Sequence, residues 1–233
     1  MISLQGVSKT YELGAGQVVN ALDGIDFTIK RGEFLVLTGR SGSGKTTLLN
    51  VAAGLAKPSA GRVALDDTDL WSLSDKDRCR FRNRTMGFVF QFPSLLPTLS
   101  VLRNVTLPLA FGPQRDDDGS TRAADLLKMV GLGDRLTSYP RQLSAGQQQR
   151  VVIARALINE PQILLADEPS SDLDEDTERD IMDLFARIHR ETGITIVMVT
   201  HARQLVSYGT QHAEMVNGRL PEVPTTGERV EHR

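Results

Sequence analysis

The sequence predicts an α/β fold: a parallel-sheet core joined by an N-terminal antiparallel β subdomain and a helical insertion subdomain. Three observations carry this reading. Residues 34–37, 163–166 and 194–199 are each almost continuously apolar, as strands covered on both faces are. Helix-patterned stretches at 45–53 and 176–191 follow two of these runs, and such alternation argues a parallel sheet with helices on its faces. The opening from Met1 to about Ile29 instead alternates apolar and polar residues between turn residues, the pattern of half-buried antiparallel strands.

Between residues 92 and 150 the pattern changes to helices broken by Pro93, Pro97, Pro108, Pro113 and Pro140, with no comparable strand. We read this as an insertion within one domain spanning residues 2–222, followed by a loosely ordered tail at 223–233. A chain of 233 residues suits that plan, at about 150 residues per domain. The lone Cys79 excludes an internal disulfide and fits a reducing compartment, so a cytoplasmic location is expected. A net charge of −2 demands no nucleic acid. The basic run Arg78, Arg80, Arg82 and Arg84, interleaved with Asp75 and Asp77, is read as a solvated face. Asp116, Asp117 and Asp118 are read as an exposed turn. No apolar run exceeds four residues, whereas a spanning helix needs about 20. Any work at a membrane would therefore need a separate membrane subunit.

The strongest chemical signal follows the first buried strand: Gly39, Arg40, Ser41, Gly42, Ser43, Gly44, Lys45 and Thr46. This is the phosphate-loop spacing in its strand-to-helix context. The glycines let successive N–H groups point inward, and the following helix adds its positive end, forming an anion cradle. Lys45 would reach the terminal phosphates, Thr46 would offer its hydroxyl to Mg²⁺, and Thr47 would contact a nearer phosphate. The strand at 163–166 delivers Asp167 and Glu168 at its end, where ligands of parallel sheets bind. Adjacent side chains on an extended segment point in opposite directions, so the two carboxylates would do different work. Asp167 would then hold the metal, and Glu168 would polarise water as general base. A third signal is Leu143, Ser144, Ala145, Gly146 and Gln147 ahead of an amphipathic stretch at 148–158. It reads either as ordinary helix capping or as a second anion-binding helix start.

In this order and spacing the chain resembles the ATP-binding cassette (ABC) ATPases over nearly its full length. That resemblance implies the ABC ATPase fold, with a RecA-like P-loop NTPase core, and ATP and Mg²⁺ as ligands. It also implies site roles. Gln91 matches the glutamine that contacts the metal and reports to the helical subdomain. Ser144, Gly146 and Gln147 lie in the signature that caps the γ-phosphate, and residues 171–174 match the loop crossing the dimer interface. His201 matches the switch histidine, which with Glu168 and Lys45 would form the catalytic set. Tyr11 matches the aromatic that stacks on adenine, although the glycine-containing stretch 14–17 beside it leaves packing as an alternative. Two copies would pack head to tail, each nucleotide lying between one copy's phosphate loop and the other's signature. An integral membrane permease would hold this homodimer at the inner face of the cell membrane.

Residues 86–100 and Gln147, Gln148, Gln149 and Arg150 together resemble the lipoprotein-releasing and macrolide-exporter type. Three positions depart from the family pattern. Ala145 replaces the first signature glycine and should fit if its φ is negative. Asp172 stands where a small residue is usual, and Arg103 where Glu is usual. The competing reading is a soluble ABC-type ATPase switch acting on a cytosolic macromolecule; its relatives generally carry tandem cassettes or large arms, and this chain has one compact cassette. A GTPase or small-molecule kinase lacks support, because no Asn-Lys-x-Asp guanine reader occurs.

Overall fold

The computed structural model describes residues 1–14, 17–112 and 118–220. The expectations for the tail, for Pro113 and for Asp116 and Asp117 lie outside the described residues. In chain order the elements are β1 (Ile2–Glu12), β2 (Val18–Ile29), β3 (Phe34–Thr38), α1 (Lys45–Ala52), β4 (Ala60–Leu65) and β5 (Thr68–Asp69). Then come α2 (Asp75–Thr85), β6 (Met86–Val89), α3 (Val101–Thr106), α4 (Ser120–Met129) and α5 (Ala145–Leu157). The chain continues through β7 (Ile163–Asp167), α6 (Glu175–Thr192), β8 (Thr195–Thr200) and β9 (Gln211–Glu214).

Two sheets result. Antiparallel strands run in the order β2-β1-β4-β5, and parallel strands in the order β6-β7-β8-β3-β9. Register explains the continuous apolar runs, because alternate residues serve opposite faces. Phe34, Val36, Leu164, Ala166, Ile196 and Met198 enter one core with α3, α5 and α6. Leu35, Leu37, Ile163, Leu165, Val197 and Val199 enter a second core, where α1 packs with the antiparallel sheet through Leu48, Leu49, Ile2, Leu4 and Ile25.

Local chemistry sets the ends of the helices. Asp174 caps α6 by accepting from the Thr177 N–H at 3.0 Å, and Gly193 ends it at φ +65°. Ser144 caps α5 reciprocally: its hydroxyl accepts from Gln147 N–H at 3.3 Å, and the Gln147 amide oxygen accepts from Ser144 N–H at 3.0 Å. This is a capping box, so α5 starts at Ala145, ahead of the stretch read from periodicity. The other predicted helices and strands differ from the observed ones by a residue at one or both ends. Along α2, Arg78 stacks over the Trp71 ring at 4.1 Å and Arg82 reaches the Gly54 carbonyl at 3.2 Å, while Arg80 and Arg84 stay exposed. The basic run is thus partly structural as well as solvated.

Candidate active site

The site lies at the carboxyl ends of β3, β7 and β8. After Thr38 the chain curls through residues 39–44 into α1. Gly44 makes that curl possible. Its φ is +107°, and a Cβ there would run into the Ala21 carbonyl, so a side chain is excluded both by conformation and by space. Lys45 is buried and donates to the carbonyls of Gly39 at 2.8 Å and Arg40 at 3.2 Å. The Ser43 hydroxyl is buried and has no hydrogen-bond partner among the described residues.

Next to the loop, Thr46 donates its hydroxyl to Asp167 Oδ1 at 3.0 Å. Burial pushes the Asp167 carboxyl above its ordinary pKa; the Thr46 hydrogen bond opposes this, the neighbouring Glu168 charge adds to it, and Lys45 opposes it again. A cation beside Asp167 would relieve that penalty.

The Glu168 backbone corrects the extended-strand argument. Glu168 N–H still joins the ladder to Val199 at 2.9 Å, but its φ is +46°, in the left-handed region. The two carboxylates part because the strand breaks at Glu168, not because extended geometry alternates. One Glu168 oxygen lies 3.9 Å from Lys45 Nζ. The other accepts from His201 Nδ1 at 2.8 Å and from His201 N–H at 3.3 Å. A carboxylate acceptor assigns the ring proton to Nδ1.

A cleft of about 630 Å³ contains Tyr11, Ser41, Gly42, Gly44, Lys45, Thr46, Thr47, Gln91, Glu168 and His201 among its lining residues. Its outer wall includes Val19, Asn20 and Ala21 of β2, which sequence reasoning missed, since an exposed strand face carries no motif. Tyr11 is half-exposed, with Lys9 over its ring at 4.8 Å. Gly39, Arg40, Ser43 and Asp167 form the floor and flanks of the loop just described. Ser144, Gly146 and Gln147 stand apart: they begin α5 and do not line the cleft. Ala145 does not have positive φ, so its methyl group is unstrained. Asp172 is exposed, and Arg103 lies 4.0 Å from Asp118.

These residues fit a phosphate-bearing ligand with a hard divalent cation. The curled backbone, a helix start and a buried ammonium suit phosphate. A hydroxyl, one carboxylate and the Gln91 amide suit Mg²⁺, which keeps waters and phosphate oxygens as its remaining ligands. No cluster of three or more His, Cys, Asp or Glu able to hold a metal occurs among the described residues.

Comparison with known proteins agrees with the fold. The family described as ABC transporter matches residues 22–171. The chain is 42% identical over 221 residues to the lipoprotein-releasing system ATP-binding protein LolD of Geobacter metallireducens, covering 94% of this chain and 97% of that one. It is 43% identical to the macrolide export ATP-binding/permease protein MacB of Syntrophobacter fumaroxidans, covering 96% of this chain but 32% of the longer protein. Among solved structures, the ATP-binding cassette MJ0796, in a dimeric post-hydrolysis state bound to ADP and Pi, superposes with a TM-score of 0.85 at 41% identity, covering 94% of this chain and 96% of that one. The chain belongs to the ABC transporter family of ATP-binding cassettes.

Proposed function

We propose that this chain binds and hydrolyses ATP as the motor subunit of an ABC transporter or mechanotransmission complex. Two copies would close head to tail around two nucleotides and drive a separate integral membrane permease. The observation that carries this reading is the convergence of Lys45, Thr46, Asp167, Glu168 and His201 on one phosphate-shaped loop. Relatives named as transporter ATP-binding proteins support it over a cytosolic switch.

The chemistry follows from the groups present. Loop N–H groups and Lys45 hold the triphosphate, Lys45 exchanging its two loop carbonyls for terminal phosphate oxygens. Mg²⁺, held by Thr46, Asp167 and Gln91, would offset charge on the β- and γ-phosphates. Glu168 takes a proton from a water whose oxygen bonds to the γ-phosphorus, while the bond to the bridging oxygen breaks and leaves ADP. His201 holds Glu168 in register through Nδ1–H. The outer wall at Tyr11 would stack on the adenine, a contact worth about 1–3 kcal/mol per base in nucleic-acid sites.

Closure would work by differential affinity. A γ-phosphate that also met the partner's α5 start would favour the closed dimer, and its loss would favour opening. No described helix is long and apolar enough to cross a membrane; the proposed place of the dimer is the cytoplasmic face, held there by the permease. Lys45→Ala should abolish ATP binding while leaving the fold intact, which equilibrium binding of a fluorescent ATP analogue measures. Wild-type affinity in that variant would remove the phosphate-loop assignment.

A further inference from the structure

Gln91 lies in the cleft, but the backbone that carries it has no regular secondary structure between β6 and α3. That backbone is held by side chains. Near Gln91 both clamps come from α5. Gln149, 2% exposed, donates Nε2 to the Phe90 carbonyl at 3.3 Å. Arg155 donates Nη2 to the Pro93 carbonyl and Nη1 to the Ser94 carbonyl, both at 3.0 Å. Ser94 has a φ of +45°, a turn that a non-glycine residue holds only when its surroundings fix it. At the far end of the segment the fully buried Asn104 of α3 accepts from Leu96 N–H at 2.8 Å and donates to the carbonyls of Leu96, Leu99 and Ser100 at 3.0–3.1 Å.

Arg155 is a costly way to fill space. It is half-buried, and burial pushes its guanidinium pKa down. Among the described residues no carboxylate pairs with it, and the charged side chains lining the same groove, Lys76, Arg80 and Arg82, are all basic. The bonds found for this guanidinium all go to the loop backbone.

We propose that Arg155 and Gln149 are positioning residues for Gln91: they clamp the backbone on both sides of it to α5, so that the helix beginning at Ser144 sets where the Gln91 amide stands in the cleft. This rests on the functional reading above and adds to it a physical link between the start of α5 and the cleft.

The test is a double-mutant cycle on steady-state ATP hydrolysis. Arg155→Lys keeps the charge but replaces a planar fork with a single ammonium that cannot address two successive carbonyls in the same way. It should lower kcat about 10-fold, the low end for losing an outer-shell partner of a metal ligand. KM for ATP should stay within about 2-fold, because the phosphate loop, Lys45, Thr46 and Asp167 still hold the nucleotide and its metal. In the Gln91→Ala background the same substitution should lower kcat no further. An unchanged kcat in Arg155→Lys, or an equal loss in both backgrounds, would overturn the proposal. If Arg155→Lys does not fold, Gln149→Leu is carried through the same cycle with the same criteria. A folded wild-type chain without ATPase activity would overturn the functional reading, and this inference with it, and is told apart by the wild-type arm alone.

Discussion

Glu168 combines three constraints in one side chain. Its backbone is left-handed, one oxygen faces Lys45 at 3.9 Å, and the other is held by His201 at 2.8 Å. A non-glycine residue in that region costs on the order of 1–3 kcal/mol and persists where surroundings over-determine it, often at reactive positions. Glu168→Gln keeps shape and can still meet His201 but cannot accept the water's proton. It should slow hydrolysis about 10²–10⁴-fold with ATP binding retained, measured as single-turnover phosphate release; unchanged turnover would remove Glu168 as base. At this scale the sequence was informative where chemistry dictates spacing, as from Gly39 to Thr46. It was silent where tertiary contacts dictate conformation, as in the break at Glu168. Gln149 left a legible trace: it lies on the helix stripe of Val152, Ile153 and Ala156, all buried, where a polar residue signals a specific partner.

Among the elements, α6 shows how a helix end links stability to pH. The Thr177 backbone N–H and then its hydroxyl hold the Asp174 carboxyl below its ordinary value of 3.8. A depressed folded-state pKa contributes stability that is present above the unfolded value and lost as pH falls through the folded one. Asp174→Asn keeps a capping oxygen but does not titrate, so its melting temperature should fall less steeply below about pH 4 than that of the wild type. Parallel acid limbs would show that the cap is not titrating. The long apolar runs foretold β3, β7 and β8, whereas β4, β5, β6, β9 and α2 carried no comparable signal. β5 has two residues and β9 four, with Gln211 and His212 exposed, and α2 buries only Thr85. Such elements owe their form to neighbours: β6 completes a sheet edge beside β7, and β4 pairs with β1, from which β2, β3, the phosphate loop and α1 separate it in the chain.

For the molecule as a whole, the helix start that closes the phosphate loop lies at the cleft, whereas the α5 start, read from the sequence as capping or as an anion site, carries a capping box away from it. α1 closes the phosphate loop, while α5 presents Ser144, Gly146 and Gln147 elsewhere. Gly146 also packs so closely against Thr177 of α6 that a Cβ would collide with the Thr177 methyl, which ties the start of α5 to α6. On the function proposed above, the phosphate loop and the α5 start are two unlike half-sites of one chain, and a head-to-tail pair would complete both at once. The account stands on ATP joining those halves. Sedimentation velocity of Glu168→Gln with saturating ATP and Mg²⁺ tests this most directly: the account predicts a dimer that reverts to monomer when ADP replaces ATP, and a profile that stays monomeric in ATP would contradict it.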